Sequence, residues 1–64
     1  MVVKDSFVLL TDQNTYFVEY LLGELILSQS INHAMVFNEK EIAIKFQKML
    51  YQVCDLNCSV NTYL

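Results

Sequence analysis

A chain of 64 residues with one glycine, no proline and two cysteines has room for one core and no second domain, and chains this short bury only about 60% of the surface their unfolded form exposes. The formal net charge is −3, and the four cationic side chains are all lysines; without arginine, which makes the bidentate contacts to phosphate and guanine, direct nucleic-acid binding is disfavoured. Apolar runs are interrupted by Asp12, Glu19 and Glu24 well short of the ~20 residues a membrane-spanning helix needs.

Ser6 to Thr11 is a β-rich apolar run followed by Asp12-Gln13-Asn14, side chains that bond the nearby backbone and tolerate left-handed turns. This predicts a strand and a turn. Thr15 to Leu22 is rich in aromatic and β-branched residues, with Tyr16, Val18, Tyr20 and Leu22 on one side and Phe17, Glu19 and Leu21 on the other, so a second strand should pair with the first. Gly23-Glu24 interrupts the pattern and Leu25 to Ser28 resumes it as a third strand. The spacing of Val18, Leu21, Leu22 and Leu25 also fits one helix over residues 15–28; strands are preferred, because Gly23 would cost ~1 kcal/mol in a helix interior.

Ser28 to His33 reads as a loop and Ala34 to Phe37 as a very short fourth strand. Asn38 with Glu41 three residues on has the form of a capping box, which starts a helix running to about Cys54. Its apolar stripe is Ile42, Ala43, Phe46, Met49, Leu50 and Val53, the face that would cover a sheet. Asp55 and Asn57 end it, and Ser59 to Leu64 alternates as a closing strand. The expected architecture is one α+β domain over residues 1–64: a small antiparallel β-β-β-(β)-α-β sheet with one amphipathic helix packed across it.

This order of elements, with Ala34-Met35-Val36-Phe37 leading into Glu41-Ile42-Ala43, resembles small accessory proteins of bacteriophages and other mobile elements of low-GC Gram-positive bacteria, which pair an Ala-x-x-Phe strand with an acidic-x-Ala helix. The resemblance implies a protein of the bacterial cytoplasm that binds and disables a host enzyme or defence complex, in the manner of anti-CRISPR inhibitors. It carries over no functional residue, because the shared positions are those that build the fold.

The residues point to binding rather than catalysis. Cys54 and Cys58, with no secretory leader before the domain, are expected to be free thiols in a reducing compartment. Together with His33 they are too few for a structural zinc site, so neither a metal nor any other cofactor is expected. His33 lacks an aligned nucleophile and an orienting carboxylate in sequence, and one glycine cannot build a phosphate loop. Tyr16, Phe17 and Tyr20 could form a base-stacking platform, yet the cations such platforms need are missing.

With 55% hydrophobic and 17% charged residues, some apolar side chains must stay exposed or meet a partner, either a second copy in a homodimer or a host protein. Ile44 and Tyr51, seven residues apart and opposite the stripe, are expected to face outward beside Gln47 and Lys48. That helix patch is the first interface candidate, and the sheet aromatics Tyr16 and Tyr20 are the second. The functional expectation is a non-enzymatic protein-binding module, with a self-associating regulatory or structural subunit as the alternative.

Overall fold

The computed structural model describes residues 5–63. It contains β1 (Ser6–Thr11), β2 (Tyr16–Leu21), β3 (Glu24–Ser28), a 3-10 turn (Ile31–His33), α1 (Lys40–Cys54) and β4 (Cys58–Tyr63). The strands form one antiparallel sheet in the order β3-β2-β1-β4, with α1 on one face. The α+β architecture is as expected, and residues 15–28 are two strands and not a helix. Leu64, the last residue of the expected closing strand, lies outside the described residues.

The first turn is built by a threonine. Thr11 Oγ1 accepts from the backbone N–H groups of Gln13 (3.2 Å) and Thr15 (3.3 Å) and lies 2.6 Å from Thr15 Oγ1, so this buried hydroxyl is fully partnered. Asn14 takes the left-handed conformation, φ 59°, which its short polar side chain tolerates. The second turn falls one residue earlier than the sequence suggests. Leu22 (φ 53°) and Gly23 (φ 79°) form the two-residue connection, whose paired positive φ values match the twist of a hairpin, and Glu24 already belongs to β3.

Beyond the register pair Leu10↔Tyr16, β1 and β2 diverge, and the segment expected as a fourth strand fills the gap. Met35 N–H donates to Phe17 O (2.9 Å), and Phe37 exchanges two 2.8 Å hydrogen bonds with Phe7. The expected strand is therefore reduced to a single bridge, Phe7↔Phe37. The same bridge explains why the capping box does not form. Holding Phe37 in the sheet keeps the chain extended through Glu39 (φ −130°), which becomes the N-cap without a side-chain bond, and the helix opens at Lys40.

Phe37 thereby joins Phe17 and Phe46 in an aromatic cluster with ring centroids 5.1 to 6.5 Å apart, each such pair worth about 0.5–1.5 kcal/mol beyond its buried area. Leu9, Ala43 and Leu50 complete the buried core, with Met49, Cys54, Leu56, Cys58 and Val60 packed around it. The helix is rotated from the expected stripe: Ile42 and Val53 are exposed, while half-buried Gln47 donates from Nε2 to Cys58 O at 2.7 Å. At ~100° per residue the buried face is centred on Ala43, Leu50 and Cys54. At its C-terminus Asp55 adopts φ 53°, and Leu50 O accepts from the N–H groups of both Asp55 and Leu56, which ends the helix where Asp55 was expected to.

A β-bulge between Phe17 and Glu19 shifts the β2–β3 register. One inserted residue inverts the alternation, so Phe17 (opposite Leu27) and Tyr20 (opposite Leu25) both face the core. Past this bulge the hairpin runs on as a two-stranded arm, and the molecule measures 40 × 22 × 21 Å.

Candidate protein interface

Two surfaces could engage a partner. The first is a cleft of about 230 Å³ between α1 and β4, lined by Gln47, Lys48, Tyr51, Gln52, Asn57 and Cys58. Three of the sequence candidates meet here. Tyr51 is 57% exposed, Lys48 is exposed, and Gln47 is half-buried with its amide committed to β4. Ile44 does not join them. Ile44 lies on the same flank of the helix as Tyr51, seven residues before it, but it is half-buried and does not line the cleft, so the expected Ile44–Tyr51 pair is exposed only at Tyr51.

Tyr16 and Tyr20 do not form one surface either. Directly opposed residues of an antiparallel pair share a face; Tyr16 stands opposite Leu10, on the face away from α1, whereas Tyr20 packs against the core. The bulge separates them, because a count of alternating positions that ignores it puts both tyrosines on the same side.

The second surface is the arm. Leu22 is fully exposed, Leu21 is 63% exposed and Ile26 39%. Beneath them a groove of about 230 Å³ is lined by Phe17, Glu19, Tyr20, Leu21, Met35 and Phe46. Leu22 is also strained: an L-residue in the left-handed region costs roughly 1–2 kcal/mol, and Asn, Asp or Gly is the usual occupant of this turn position. Nothing lies within 4 Å of a Cβ placed on the neighbouring Gly23, so the tip stands clear of the body. Periodicity places Leu21, Leu22, Ile26 and Met35 in strands without marking them as exposed; the legible signal is a leucine where turn chemistry asks for a polar residue.

Among the described residues, one side-chain pair of serine and histidine meets. Ser28 Oγ lies 3.2 Å from His33 Nδ1 and also accepts from Ser30 N–H (3.1 Å); both partners belong to the turn after β3, and this pairing organises the loop. Among the described residues no group of three His, Cys, Asp or Glu side chains converges as a metal site. Both cysteines are free and half-buried. Burial pushes the Cys58 thiol up, helped by the negative charge of Asp12 and by Cys54, which leaves it a weak nucleophile at neutral pH. No helix among the described residues is long and apolar enough to cross a membrane. In comparison with known proteins, the chain matches no family model, no curated protein and no solved structure.

Proposed function

We propose that this chain is a non-enzymatic protein-binding module that presents the β2–β3 arm to its partner. The observation that carries this reading is Leu22, fully exposed and held at φ 53° on the tip of a two-stranded arm. Backbone strain of this kind persists at recognition and switch sites, and among the described residues none covers the Leu22 side chain. The outer end of the hairpin, past Tyr20 and Leu25, is not among the segments packed against the core; a two-stranded ribbon there is marginal in water, and burial against another polypeptide would stabilise it. The resemblance to phage accessory proteins extends the reading to a host enzyme or defence complex as target.

The test is affinity capture from bacterial lysate with the parent, with Leu21→Ser/Leu22→Asn, and with Tyr51→Ser in the helix cleft. The arm variant should fold and lose its captured protein, and Tyr51→Ser should retain it. The opposite pattern would move the binding surface to the α1–β4 cleft.

A further inference from the structure

β3 is the outermost strand on the arm's side of the sheet, and among the described residues no backbone hydrogen bond from outside the sheet reaches residues 24–27. The two-residue turn makes Leu21 and Glu24 the closing hydrogen-bonded pair. By alternation the backbone groups of Ile26 also point to β2, and those of Leu25 and Leu27 point outward. Such a row is a template for another strand, and proteins ordinarily blunt it with lysine, proline, an edge bulge or a covering element. Glu24-Leu25-Ile26-Leu27-Ser28 has no lysine or proline, and its single charge stands at one end.

We propose that β3 pairs antiparallel with β3 of a second copy about a two-fold axis at Ile26, joining two four-stranded sheets into one. The proposal rests on the reading of the arm as a binding surface and assigns its free edge, as distinct from the Leu21–Leu22 tip, to a second copy. In this register Leu25 lies opposite the second copy's Leu27, and each such pair exchanges both of its outward backbone hydrogen bonds. Leu25 and Leu27, which pack against the core on the helix side, continue that apolar face across the junction. Ile26 meets its own copy on the other face, at a non-hydrogen-bonded site where side chains approach most closely.

The charges agree with the same register. Glu24 falls opposite Ser28 and not opposite another glutamate, so two chains of net charge −3 meet without a like-charge pair. A register two residues nearer the turn would set Glu24 against Ile26 and leave Ser28 unpaired. A closed two-fold contact of one patch with itself is also the commonest form of oligomer. Five residues at about 3.4 Å each span only ~17 Å, so the contact is reversible and depends on concentration.

Mass measured by sedimentation or light scattering from low micromolar to near-millimolar concentration should rise from 7.5 kDa toward twice that value. Ile26→Lys, which sets two cations against each other at a position pointing away from the core, should hold the mass at that of one chain with an unchanged circular dichroism spectrum. A chemically assembled chain N-methylated at Leu27 loses the outward N–H and keeps the side chain, and it too should stay monomeric. Parent protein that remains monomeric throughout overturns the proposal. So do both altered chains dimerising like the parent, which would place the contact elsewhere. A monomer that binds an extended segment of another protein along β3 overturns the self-pairing and leaves the arm as binding surface; retained host capture by the Leu21→Ser/Leu22→Asn chain defeats the arm reading itself.

Discussion

The two edges of the sheet differ in what they leave unfinished. β4 lies against α1, which covers it from the core side through Leu56, Cys58 and Val60 and ties down Cys58 O through Gln47; Ser59 and Thr62 are its exposed side chains. β3 carries three consecutive apolar residues at the free edge of an arm whose tip is strained and fully exposed. Along β4 the exposed side chains are polar, whereas β3 exposes Ile26 beside Leu21 and Leu22. We therefore assign stability to β1, β4, α1 and the inserted Phe37, and propose the arm for recognition.

That division breaks first at Phe37. It is 5% exposed and sits between Phe17 and Phe46 while bridging to β1, so Phe37→Ala should cost about 3–5 kcal/mol. This is comparable to the entire stability a core of this size supplies, ~3–5 kcal/mol, and the variant should be largely unfolded by circular dichroism at room temperature. A loss under about 1 kcal/mol in denaturant titration would mean that the inserted segment is not part of the stabilising half.

The arm should respond with the opposite sign. Leu22→Asn places a residue that tolerates positive φ where leucine is strained, and it should raise stability by roughly 1 kcal/mol while weakening capture of a partner. A variant that is both less stable and fully binding would show that the leucine serves the fold.

Much of the body was legible in the sequence because it rests on local rules. The strand pattern of Ser6–Thr11, the turn chemistry of Asp12–Asn14 and the termination at Asp55 each follow from neighbouring residues, and the structure shows all three. What escaped depends on distant contacts. The Phe7↔Phe37 bridge delays the helix and makes Glu39, not Asn38, its N-cap. The bond from Gln47 to β4 goes with a helix rotated away from the expected stripe, which exposes Ile42 and Val53, and the bulge after Phe17 parts Tyr16 from Tyr20. Of the interface candidates, Gln47, Lys48 and Tyr51 share one cleft, whereas the arm leucines carry no periodic signal that would single them out.

A smaller effect concerns pH and belongs to the body. The Cys58 thiol is raised from its ordinary value of 9.0, by burial first and then by Asp12 and Cys54. In the unfolded chain this thiol loses its proton at the ordinary value, while the folded chain still holds it. The unfolded state then binds fewer protons, and stability falls as pH rises through and beyond that range, the contribution being fully present below it. Cys58→Ala should flatten the alkaline decline seen in denaturant titrations. Native-state alkylation of Cys58 should be slower than that of a peptide cysteine, with the gap closing in denaturant; equal rates in the native state would place the thiol in water.

Backbone hydrogen exchange followed as a function of protein concentration tests the division between body and arm most directly, since it reads each amide separately. The amides of Val8, paired with Asn61 in β4, and Leu50 in α1 should be protected at every concentration. Those of Leu25 and Leu27 should exchange rapidly in dilute protein and slow markedly as concentration rises. Rates at Leu25 and Leu27 that ignore concentration would contradict the self-pairing of the arm, and a concentration-dependent slowing confined to Lys48 and Tyr51 would move the contact to the α1–β4 cleft.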